Sequence, residues 1–254
     1  MALRRAATTG QREPGTSASR ALRRATDVLL VVAVGLTALS LGLPNVTDWP
    51  VLAAPDSPVR GLVDVAAEQN LPTWFAVTVL AVAAVAHLVA AGTARSVRLP
   101  VWRLWLVSAA ILAALSLDDA SSLHERLDGL GRDAGAGDFP FAWVIPGAVL
   151  GLVVVAAVVL LAVRVERPVR RLLVGGLVLV IGAALVVETI NGAILAAQGP
   201  SQWYVLMTHL EELAEMAGAV LLLRAGLTAL DLTSTPDGGV LVRYGTRQDG
   251  APRS

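Results

Sequence analysis

Cysteine is absent, which excludes disulfides, thiolate metal sites and cysteine nucleophiles together. Lysine is absent too: all 20 basic residues are arginine, which reads as codon bias and not as chemistry. Charge of either sign is scarce. Only 16% of the 254 residues are charged, where a soluble domain has about 25%. The formal net charge is +0, so the electrostatic footprint of a nucleic-acid binder is missing. What fills the chain instead is apolar: 55% of residues are hydrophobic, and the mean hydropathy is +0.67. This is the composition of a membrane protein, whose constant partner is the lipid bilayer.

Six apolar runs predict spanning helices: about Val28–Leu43, Pro72–Ala91, Val101–Leu117, Phe141–Val163, Leu172–Ile190 (with continuation toward Ala197) and Trp203–Leu230. Each approaches the ~20 residues that cross ~30 Å of hydrocarbon. Pro72 suits a first helical turn, where its missing N–H costs nothing. Gly199-Pro200 and the glycine-rich stretch 129–137 read as loops. The fold expected is all-α, a polytopic six-transmembrane-helix bundle over residues 25–230. An Arg-rich disordered tail (1–24) precedes it and a polar, poorly ordered tail (231–254) follows. The first run lacks an A-x-A cleavage site and has a long tail before it, so it reads as an uncleaved helix.

Orientation follows from the arginines. With the N-terminus inside, all but Arg60, Arg126 and Arg132 of the 20 lie on the inner side, a strong positive-inside pattern with both termini cytoplasmic. Trp49, Trp74, Trp143 and Trp203 then fall at the outer interface and Trp102 and Trp105 at the inner one, where tryptophans anchor helices.

The same threading gathers the acids near the outer surface: Glu68, Asp118, Asp119, Glu125, Glu188, Glu211, Glu212 and Glu215. If the third helix continues past Leu117, Asp118, Ser121 or Ser122, and Glu125 share a face. On the sixth helix His209, Glu212 and either Glu215 or Met216 form one stripe. Carboxylates crowded in this way repel unless a cation, shared protons or arginine partners compensate. Arg126 and Arg132 are too few for the whole set. A mixed carboxylate–imidazole set suits zinc, iron or manganese, and the candidate ligands are Asp118, Asp119, His124, Glu125, Glu188, His209, Glu212 and Glu215. The order His209-x-x-Glu212 is the reverse of the di-metal bundle motif and occurs once, so that site type is not matched.

Plainer readings stand beside these. Asp118-Asp119 can be interfacial charge, the sixth-helix glutamates can gain from the helix dipole, Glu188 can be polar glue, and His87 reads as an interhelical hydrogen-bonder.

Three segments carry a resemblance: Glu68-Gln69-Asn70-Leu71-Pro72-Thr73-Trp74, Ser116-Leu117-Asp118-Asp119 with His124-Glu125, and Glu211-Glu212-Leu213-Ala214-Glu215-Met216-Ala217-Gly218. Over about residues 25–230 the chain resembles an uncharacterised family of bacterial multi-pass membrane proteins. The resemblance implies a plasma-membrane location and no particular reaction. Three functions stay open. One is a metal-dependent membrane enzyme acting on a small-molecule or lipid substrate, another a proton- or cation-coupled transporter, and the last a non-catalytic assembly or sensor subunit.

Overall fold

A computed structural model describes residues 15–235 and 239–245. The first helix, α1 (Gly15–Val46), starts within the segment expected to be a tail, so only residues 1–14 of that expectation lie outside the described chain. Ala18, Ala21, Leu22 and Ala25 are good helix formers among the arginines and extend the apolar helix backwards. Two short helices follow, α2 (Pro50–Ala53) and α3 (Pro58–Val63), each opened by its proline.

Next come α4 (Leu71–Ser96) and α5 (Trp102–Ser121), antiparallel neighbours joined by a short turn. After a 3₁₀ turn at Glu125–Leu127, α6 (Asp128–Gly131) leads into a wide turn in which Gly135 takes φ +106°. Then α7 (Val144–Ala162) runs back. A longer rod follows: α8 (Arg167–Ile181), a π-helical turn at Gly182–Val187, and α9 (Glu188–Gln198). Last is α10 (Gln202–Thr228).

The segment after Leu230 is not tail alone. It forms a hairpin, β1 (Leu230–Ser234) and β2 (Val240–Tyr244), paired antiparallel with Leu230 opposite Tyr244. Tyr244 accepts a hydrogen bond from Trp105 Nε1 at 3.0 Å, which docks the hairpin under α5. Trp105 is fully buried and is therefore not the interface anchor the sequence suggests.

Among the described residues, five helical segments are long and apolar enough to cross a membrane: Ala18–Val46, Leu71–Ser96, Trp102–Ser121, Val144–Ala162 and the rod Arg167–Gln198. This is a membrane protein. With 27 residues, α10 is about 40 Å long, yet every 18-residue window of it holds at least three of Glu211, Glu212, Glu215 and Arg224. It nevertheless packs centrally, against α1, α4 and α8.

The core around α10 is made by close approach. A Cβ on Gly176 would lie 2.9 Å from the Gly218 carbonyl oxygen, and one on Gly218 would lie 2.9 Å from that of Gly176, so α8 and α10 touch backbone to backbone. This is the small-residue packing of membrane helices. His87 joins α4 to both neighbours. Its Nε2–H donates to the Leu222 carbonyl at 2.9 Å, and Nδ1 lies 2.9 Å from Ser108 Oγ. The ring stands edge-on to Trp105, the interhelical glue the sequence suggests.

Candidate functional site

The back-and-forth threading leaves the arginine-rich turns at one end of the bundle and the acidic loops at the other. At the acidic end lies a cavity of about 240 Å³ lined by Glu68, Asp118, Asp119, His124, Glu125, Glu188, Glu211, Glu212 and Glu215, with Asn191, Thr208, Tyr204 and Trp143 among them. Among the described residues, no arginine lines it. Arg132, one expected partner, is engaged elsewhere, with Asp128 at 3.3 Å and the Gly137 carbonyl at 3.0 Å.

Each wall has a local cause. Glu68 is carried by a loop that Asn70 pins. Asn70 Oδ1 caps α4 by accepting from the Thr73 N–H at 3.1 Å, while Nδ2 donates to the carbonyls of Gly61, Asp64 and Ala67. The Asn-Leu-Pro-Thr part of the first segment is thus a helix start, and Glu68 is what it holds in place.

On α5, Asp118 and Asp119 are helical, but the helix does not carry Glu125. It stops at Ser122, which takes φ +48°, and the hydroxyl of Ser122 donates to Glu68. The expected helical face of Asp118, Ser121 or Ser122, and Glu125 is therefore broken, because a left-handed residue ends the repeat. The turn instead folds His124 back onto Asp118. The His124 backbone N–H donates to Oδ1 at 2.8 Å, and Nδ1 lies 3.1 Å from Oδ2. Glu125 arrives through the following 3₁₀ turn.

Ligand atoms of Glu68, His124 and Glu125 lie within 4.8 Å of one another, so this group can hold a metal. Burial alone would lower the His124 pKa. The Asp118 hydrogen bond and the charges of Asp118, Glu188 and Glu215 outweigh it and raise the value to about 9.

On the α8–α9 rod, the π-helical turn brings Glu188 and Asn191 to the cavity below Val180 and Ala184. Such turns recur at functional sites because they re-aim the residues that follow. Trp143 Nε1 donates to Glu188 Oε1 at 2.9 Å, and the indole packs 4.8 Å from the His124 ring. Trp143 is only 8% exposed, so it belongs to the site and not to the outer anchor belt. Trp74, at 65% exposed, fits that belt. The signal for Trp143 was its closeness in sequence to the acidic loop, which reads equally well as an interface.

On α10 the stripe is Thr208, Glu211, Glu212 and Glu215, spaced 0, 3, 4 and 7, and not one that contains His209. His209 lies about 100° round the helix from Thr208 and faces α1. Its Nδ1–H donates to the Val205 carbonyl at 2.7 Å, and Nε2 meets Ser40 Oγ at 3.0 Å. Both its nitrogens are engaged outside the cavity, which His209 does not line, whereas Glu68 and Glu211 do. Asn191, 2% exposed, donates from Nδ2 to Thr208 Oγ1 at 2.8 Å while its Oδ1 has no protein partner. A buried acceptor without a partner carries a desolvation cost.

One family's sequence profile, a domain of unknown function (DUF8692), matches residues 28–230. The chain belongs to this family. The match spans every element of the cavity and ends where the hairpin begins. No curated protein and no solved structure matches the chain.

Proposed function

We propose that the cavity is a divalent-cation site of a six-span protein of the bacterial plasma membrane, open to the outer side, and that it serves a metal-dependent membrane enzyme. The observation that carries this reading is the convergence of eight carboxylates and one imidazole on one cavity that, among the described residues, no arginine lines. So many carboxylates at membrane depth are costly unless a cation or shared protons compensate them, and a cation satisfies the oxygens and the imidazole together.

The ligands drawn from this set are Glu68, His124 and Glu125 at the mouth, with Asp119, Glu188, Glu212 and Glu215 deeper in. Asp118 orients the imidazole through Nδ1 and leaves Nε2 for the cation, the carboxylate–histidine arrangement common behind metal ligands. Oxygen donors dominate, which favours manganese or iron over zinc. A cation held there supplies a Lewis acid and an activated water. A carboxylate not engaged in ligation is then placed to accept the proton. The orientation rests on the arginine distribution.

A transporter would use the same carboxylates but needs a way through. Mid-bundle, the helices meet in buried Leu112, Leu173, Leu177, Val220 and Leu223, and this apolar layer favours a one-sided site. The test is elemental analysis of purified protein, with melting temperature measured with and without chelator. About one manganese or iron per chain, lost in Glu212→Gln/Glu215→Gln, is expected. A melting temperature indifferent to both chelator and added metal would reject the reading.

A further inference from the structure

A second hollow of about 380 Å³ runs along the membrane-spanning part of the bundle, between α5, α7 and the π-helical turn. Its walls are apolar: Ile111 and Ala114 on α5, Leu150 and Val153 on α7, Leu185 on the turn. Leu150 and Val153 are 58% and 63% exposed, on a face that meets hydrocarbon when α7 spans the bilayer. The hollow is polar only at one end, and that end is already described. Asp118, His124 and Trp143 line both this groove and the acidic cavity.

We propose that this groove seats one acyl chain of a bilayer lipid whose polar linkage crosses the Asp118–His124–Trp143 edge into the acidic cavity. The proposal rests on the cation-site reading and names its substrate class, an acyl lipid. The groove lies open along a lipid-facing side, so a thin, flexible hydrocarbon chain already in the leaflet can enter it.

Chemistry points the same way. An occupant must be apolar along its length and polar at one end, which describes a lipid entering sideways from the leaflet. Moving a chain from bilayer to groove gains little hydrophobic energy, because both are hydrocarbon. Selection therefore falls on the polar end, at Asp118 and His124, and on the fit of the groove. Gly147 and Gly151 keep that fit on the α7 side. A Cβ on Gly147 would sit 2.5 Å from the Trp143 ring and one on Gly151 2.9 Å from Leu185 Cδ1.

The test uses the full chain in phosphatidylcholine nanodiscs doped with a phosphatidylcholine carrying a diazirine midway along one acyl chain. Adducts are mapped by mass spectrometry after irradiation. Labelling at Leu150, Val153 and Leu185 at least threefold above that at the lipid-facing Val82 and Val85 of α4 is expected. Ala114→Trp should lower it to the α4 level, while Ala114→Ser should keep it. Should the tryptophan variant fail to fold, Leu150→Trp takes its place.

Even labelling of both surfaces means annular lipid only and overturns the proposal. So does shielding of the groove below the α4 level together with a dimeric mass, which would assign the face to a second copy. Metal content of the same samples separates the two readings. Even labelling of metal-loaded protein removes the groove and leaves the cation site, whereas selective labelling of metal-free protein supports the groove and removes the cation site.

Discussion

Two histidines on adjacent walls differ in how many ring nitrogens are already spoken for. Asp118 takes Nδ1 of His124 and leaves the other available. Val205 and Ser40 take both nitrogens of His209. His209→Ala should therefore cost about 1 kcal/mol of stability, the net worth of its hydrogen bond to Ser40, because Ser40 keeps Asp64 and Val65 as partners. Metal stoichiometry should not change, which elemental analysis beside a thermal melt would read.

His124 also sets a pH dependence in chelator-treated protein. Its pKa is raised above the ordinary 6.5 to about 9, so the folded state holds the proton more tightly than the unfolded chain. That contribution is fully present below about 6.5 and is lost as pH rises through about 9. Wild-type protein should lose more melting temperature between pH 6 and pH 9.5 (both roughly chosen to bracket the titration) than His124→Gln does. Equal losses would show that the imidazolium contributes nothing.

At the scale of elements, the α8–α10 crossing carries the α10 carboxylate stripe to the cavity. Gly218→Leu would press side-chain atoms into the Gly176 carbonyl and Val180, both under 3 Å from a Cβ. A loss of 1–3 kcal/mol is roughly what such overpacking costs, and more if the helices separate. Gly175→Ala makes the contrast, because its Cβ meets only Leu221 Cδ1 at 3.4 Å, and its melting temperature in detergent should stay near wild type. The same scale separates two candidate stripes on α10. A heptad-like spacing of 0, 3, 4 and 7 starting at Thr208 and one starting at His209 are equally regular in sequence. Only the neighbour, α1 on one side and the cavity on the other, distinguishes them.

For the whole molecule, the proposed threading can be read out because the chain has no native cysteine. Asp133→Cys, at an exposed site in the acidic-end loop, should react with a membrane-impermeant maleimide in intact cells. Arg98→Cys, exposed at the arginine-rich end, should react only after permeabilisation. The reverse pattern would invert the topology and put the cavity inside.

The sequence by itself determined that this chain is a helical membrane protein, roughly where its apolar runs lie, and that its acids and arginines separate along it. Hydropathy and charge are summed over long windows and survive local error. Only the tertiary structure decided which acids meet. A left-handed residue at Ser122 brings His124 onto Asp118, a π-helical turn re-aims Glu188, an asparagine cap holds Glu68, and Trp143 leaves the interface for the site. Those outcomes depend on backbone angles at single residues and on which helix stands opposite, and neither is carried by periodicity. The hairpin after Leu230 is not legible in the sequence for a related reason. Its short strands are held by each other and by Trp105, a partner more than a hundred residues away.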